Sequence, residues 1–148
     1  MTVIYAKGFL QTVEKSDGSV LNGSDDLFTI TGGPIMVTDF VGIVTTVIGG
    51  ASNCHIDMVV TEPAGTVQLS TDVAINSNAA GTSYTFTAAD PSVLTPTTAG
   101  ALANVPFTKW LLPIGTLKAH CSAARTGNIK WYISYFMLSQ YSKVVAAA

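Results

Sequence analysis

The sequence predicts an all-β fold: a single antiparallel β-sandwich of jelly-roll-like form, with an N-terminal arm. Three observations carry this. Apolar residues alternate with a period of two rather than 3.6, as on strands half-buried against a core. Runs rich in Thr, Val, Ile and aromatics are separated by clusters of Gly, Pro, Asn and Asp at the spacing of a many-stranded sandwich. No long amphipathic helical pattern interrupts them, and only a short helical turn around residues 99–103 is expected. At 148 residues the chain is one domain long and can bury a substantial apolar core.

Residues 1–26 read as an arm and 27–148 as the sandwich domain with a short C-terminal tail. The arm holds six charged residues (Lys7, Glu14, Lys15, Asp17, Asp25 and Asp26) and two loop-like stretches, Ser16-Asp17-Gly18-Ser19 and Asn22-Gly23-Ser24. Val3, Tyr5 and Phe9 fall on alternate positions, so the arm is either an edge strand added to the domain or a partner, or an ordinary first strand followed by a loop. Strands are expected next at 27–31 and at 35–47, the latter with a bend near Gly42. Gly32-Gly33-Pro34 is the turn between them.

Residues 53–60 give the clearest alternation. Cys54, Ile56, Met58 and Val60 share one face, and His55, Asp57 and Val59 the other. Glu62-Pro63-Ala64-Gly65 is a turn, followed by strands at 66–69, 83–87 and 108–112. Residues 76–81 and 88–104, rich in Ala, Thr, Ser and Pro, read as surface loops. In 117–123, Leu117, Ala119, Cys121 and Ala123 oppose Lys118, His120 and Ser122, which places both cysteines inward and both histidines outward. Arg125-Thr126-Gly127-Asn128 tolerates positive φ and reads as a hairpin turn joining residues 116–123 to 129–138. The second arm of this hairpin has two apolar faces: Trp131, Ile133, Tyr135 and Met137 on one, Tyr132, Phe136 and Leu138 on the other. The core covers one, and an appended segment or neighbouring subunit is needed for the other.

Composition narrows the function. Hydrophobic residues make up 48% of the chain and charged residues 11%, against about 25% charged in an average soluble domain. Such a surface is either uncharged polar or covered, which points to a subunit of an assembly. A net charge of −2 and seven scattered basic residues argue against a nucleic-acid surface. The apolar runs are far shorter than the roughly 20 residues of a spanning helix, and the opening residues do not read as a secretion signal.

Candidate chemistry is sparse. His55 beside Asp57 is the start of a catalytic dyad, but no nucleophile elbow, His-Glu-x-x-His or Cys-x-x-Cys accompanies it, and a solvated surface pair is the better reading. His55 and His120 would chelate zinc if their strands were adjacent, although two ligands make an incomplete site. Cys54 and Cys121 read as core residues rather than nucleophiles, with their redox state open. Trp110, Trp131, Tyr132 and Tyr135 offer stacking surfaces for a sugar, but strand aromatics more often fill cores or interfaces. No catalytic residue, cofactor or metal is expected. The interface residues expected are Val3, Tyr5, Phe9, Tyr132, Phe136 and Leu138.

Two stretches carry a family resemblance. One is Asp26-Leu27-Phe28-Thr29-Ile30-Thr31-Gly32-Gly33-Pro34-Ile35, continuing into Gly42-Ile43-Val44-Thr45-Thr46. The other is Pro113-Ile114-Gly115-Thr116-Leu117-Lys118 followed by Ser122-Ala123-Ala124-Arg125-Thr126-Gly127-Asn128-Ile129-Lys130-Trp131. Over residues 27–138 the chain resembles a family of small virion proteins of tailed bacteriophages that look like capsid decoration, or cement, subunits. The resemblance implies a β-rich, often trimeric, non-enzymatic protein on the phage head, made in the bacterial cytoplasm, with the major capsid protein as partner and neither nucleic acid nor membrane bound. A second reading is a virion fibre or tail-associated carbohydrate- or receptor-binding module. On the first, the 1–9 arm and the tail from Val144 are the segments free to reach a neighbour or the shell.

Overall fold

The computed structural model describes residues 10–19, 23–86, 94–97 and 110–148. These form twelve strands and, among the described residues, no helix: β1 (Gln11–Ser19), β2 (Gly23–Thr31), β3 (Ile35–Gly49), β4 (Asn53–Val60), β5 (Gly65–Gln68), β6 (Val73–Ala74), β7 (Ser83–Phe86), β8 (Leu94–Thr97), β9 (Trp110–Leu112), β10 (Gly115–Cys121), β11 (Thr126–Met137) and β12 (Lys143–Ala146). They build two antiparallel sheets packed as a sandwich. The first has the order β1-β11-β3-β7-β8, with β9 also paired to β3; the second has the order β12-β2-β10-β4-β5, with β6 also paired to β4. The all-β sandwich expected from the alternation is therefore present.

The chain crosses repeatedly between the sheets. At one end, residues 32–34, 113–114 and 138–142 carry β2 to β3, β9 to β10 and β11 to β12; at the other, residues 50–52 and 122–125 carry β3 to β4 and β10 to β11. This corrects the expected hairpin at 125–128. β10 pairs with β2 and β4, whereas β11 pairs with β1 and β3, so the two strands face each other across the core. Gly127 does have a positive φ of 107°, but its role is different. A Cβ there would lie 2.5 Å from the Val47 carbonyl oxygen, so glycine lets β11 approach β3 closely at a bulge. Arg125 and Ser52 tie the crossing connections together, through Arg125 Nε to the Ala51 carbonyl at 2.7 Å and Ser52 Oγ to the Ala123 carbonyl at 3.0 Å.

The stretch 1–26 contributes β1, an edge strand on β11, and the first residues of β2; residues 1–9 lie outside the described residues. Three short segments depart from the sequence reading. Leu94–Thr97, within the expected 88–104 loop, pairs with β7 as β8, and Val73–Ala74 adds to β4. The C-terminal tail is the third. Lys143–Ala146 forms edge strand β12 on β2, Val144 is buried, and Lys15 Nζ donates to the Ala147 carbonyl at 2.7 Å. The tail is thus held on β2 along one side, and its other side is the edge of the second sheet. The expected helical turn at 99–103 lies outside the described residues.

The core is organised around Phe40, which is 2% exposed. Its ring stacks on Trp131 at 5.2 Å between centroids and meets Phe28, Phe86 and Trp110 within 6.3 Å, joining both sheets through one aromatic cluster. Tyr84 is buried beside it. Burial pushes its phenol above the ordinary value, partly offset by the 2.6 Å hydrogen bond from Asn78 Nδ2 to its oxygen.

β3 runs through Gly42 as one strand. Gly42 lies opposite Trp131 in the register, and a Cβ on it would come 2.5 Å from the indole ring. The rigid, buried indole cannot yield without displacing Phe40. Gly42→Ala is expected to destabilise by about 1–3 kcal/mol, the usual cost of overpacking, read as a lower denaturant midpoint with unchanged slope.

Candidate functional site

Two surfaces carry the residues singled out by the sequence. The first is the outer face of the β1-β11-β3 sheet. Along β11, Ile129, Trp131, Ile133 and Tyr135 point inward and are buried, and the alternate residues Lys130, Tyr132, Ser134 and Phe136 point outward. Phe136 is 36% exposed and Leu138, just past the strand, 48%. The expected second apolar face is thus real at its C-terminal end, and β1 pairs along the strand's edge without covering it.

Register extends this face sideways. Phe136 lies opposite Met36 on β3, and Met36 lies opposite Leu111 on β9, so the three form one outward row. Leu111 is 66% exposed, and Leu10, adjoining β1 beside β11, 51%. Leu10, Met36 and Leu111 were not singled out by the sequence, because each is apolar in isolation and only pairing across three strands aligns them. Toward the other end the same face turns polar, with Thr12 and Ser134 hydroxyls 2.9 Å apart and Lys130 Nζ 3.2 Å from Glu14. The face is therefore amphipathic, with its apolar half next to the 32–34 and 138–142 crossings. Val3, Tyr5 and Phe9 lie outside the described residues.

The second surface is the outer face of β4 and β10. These strands pair so that Cys54 lies opposite Cys121 and His55 opposite His120. A single register decides both pairs, since a one-residue slip would turn every side chain to the other face. The cysteines point inward, are buried and form a disulfide. The histidines point outward with their rings stacked at 4.8 Å. His55 Nε2 is 3.3 Å from Asp57 Oδ2, and its Nδ1 is 2.6 Å from Asp72 Oδ1. Asp72, on the β5–β6 connection, gave no sequence signal because its stretch reads only as a turn. Lys118, opposite Asp57 in the register, pairs instead with Asp26 at 2.8 Å. Nearby Asp25 is pushed above the ordinary carboxylate range by burial, with Lys15 pulling the other way.

The four aromatics considered for sugar stacking do not share an exposed surface. Trp131 and Tyr135 are buried, Trp110 meets Phe86 edge-on at 4.6 Å, and Tyr132 alone faces outward. Among the described residues no helix is long and apolar enough to cross a membrane. No protein-family model, curated protein or solved structure matches this chain.

Proposed function

We propose that this chain is a structural, non-enzymatic virion protein: a decoration, or cement, subunit that binds the outer surface of a phage head as a homotrimer and stabilises the lattice of the major capsid protein. The observation that carries the reading is the outward apolar row of Phe136, Met36 and Leu111, with exposed Leu10 adjoining β1, on a chain with so few charges. Contiguous exposed apolar surface marks a contact surface, and copies related by a closed symmetry would cover it. A protein of this kind needs contact area rather than catalysis, and by binding only the assembled shell it shifts the equilibrium toward it. The disulfide supports a place on the outside of a particle, because disulfides persist on virion surfaces and are rare in the reducing cytosol. The sequence resemblance supplies the head location and the trimer.

The test is an electron-microscopy reconstruction of the intact particle. Density for this chain at regular symmetry positions over the head is expected; density confined to the tail tip or fibres overturns the reading. Because Phe136 is already partly exposed, Phe136→Asp is expected to keep the circular dichroism spectrum of the fold while dissociating the trimer and, through the lost multivalency, weakening retention on purified empty heads roughly tenfold or more.

A further inference from the structure

We propose that His55, Asp57 and His120 form a binding site for a divalent transition metal of the zinc class, with Asp72 as the carboxylate that orients His55. This inference is independent of the proposed function. His55 and Asp57 are two residues apart on β4 and so share its outward face, and His120 faces His55 directly from β10. The incomplete two-histidine pair thereby gains its third ligand. The donor atoms of the three residues all lie within 4.8 Å of one another.

The spacing fits a small ion. Tetrahedral zinc with bonds of about 2.0–2.1 Å holds its ligand atoms about 3.3 Å apart. His55 Nε2 and Asp57 Oδ2 already stand at 3.3 Å. His120, whose ring lies stacked on His55 at 4.8 Å, would have to turn out of that stack to bring a ring nitrogen to the ion. One imidazole and one carboxylate preset, with a second imidazole alongside, make a mixed nitrogen and oxygen donor set that suits zinc better than calcium or magnesium.

Asp72 supplies the orientation. With a metal on Nε2, the Asp72 carboxylate would accept from Nδ1–H, as in the carboxylate–histidine–zinc arrangement, and its contact with Nδ1 holds the ring with Nε2 toward Asp57. The approach of Nε2 to the Asp57 carboxylate calls for a proton or a cation between them, and a bound metal supplies the cation. Lys118, the nearest cation in the register, reaches to Asp26 instead. The ligands sit on paired strands rather than on a loop, and the Cys54–Cys121 bond pins their register one residue away on the opposite face. Three protein ligands leave a fourth position open to water.

The test is calorimetric titration of the purified full chain with zinc chloride, together with the visible spectrum of the cobalt(II) form. One equivalent per chain and the absorption of tetrahedral cobalt are expected, and both are lost in His55→Ala and in His120→Gln. Asp72→Asn is expected to weaken zinc binding roughly 10- to 100-fold, the usual cost of losing an orienting partner. Circular dichroism of each variant separates loss of the site from loss of the fold. Absence of binding by the folded wild-type chain overturns the proposal, as does unchanged binding in either folded histidine variant.

Discussion

Phe40→Ala is expected to cost about 3–5 kcal/mol, the range for truncating a large buried aromatic. Phe40 touches Phe28 from the second sheet and Phe86, Trp110 and Trp131 from the first, so its removal opens a cavity where the two layers meet. The surrounding rings are rigid and anchored on four strands, which limits collapse into the space. For a domain of this size each kcal/mol lowers the melting temperature by about 2–4 °C, so a fall of roughly 10 °C is expected. Phe136→Ala, at a partly exposed position, is the control and is expected to change stability by about 0.5 kcal/mol or less. Equal effects of the two substitutions in calorimetry would contradict the placement of the core.

Reduction of Cys54–Cys121 is the second large expected effect. The bond closes a separation of 67 residues in the unfolded chain, and loss of that constraint is worth about 4 kcal/mol on the chain-entropy account. The thiols themselves stay well packed, since both cysteines are buried among apolar neighbours. The loss is therefore expected in the unfolded state rather than as a rearranged native fold. Scanning calorimetry with and without reductant, and on the Cys54→Ala/Cys121→Ala double variant, is expected to show a melting temperature lower by about 10 °C in both cases. An unchanged melting temperature in reductant would show that the bond contributes nothing to the fold.

The strand faces were legible in the sequence wherever a strand is buried on one side only. Alternation in 53–60 and 117–123 placed Cys54 and Cys121 inward and His55 and His120 outward, as the structure has them. Alternation reports which side of a strand is apolar but not which strand lies beside it. The consecutive strands β10 and β11 therefore read as a hairpin around a turn-forming Gly127, although they belong to opposite sheets and the glycine serves a close strand approach. Pairing of Cys54 with Cys121 and convergence of His55, Asp57, Asp72 and His120 depend on register across 67 residues, which no local pattern encodes. β8 and β12 escaped notice for a related reason. Strands of four residues in Ala-, Thr- and Pro-rich sequence have too few positions for a period to show, and the sheet edge next to them decides their state.

The same holds for the outward apolar row. Phe136 and Leu138 stood out because they lie opposite an already apolar strand face, whereas Met36 and Leu111 join Phe136 only through the pairing of β11 with β3 and of β3 with β9. On the proposed function, this face is the one that other copies cover. Sedimentation equilibrium of the purified full-length chain tests that account most directly. It predicts a mass three times that of the 15.4 kDa chain, reduced toward one chain by Phe136→Asp; a wild-type protein that sediments as a single 15.4 kDa chain at every concentration would contradict it.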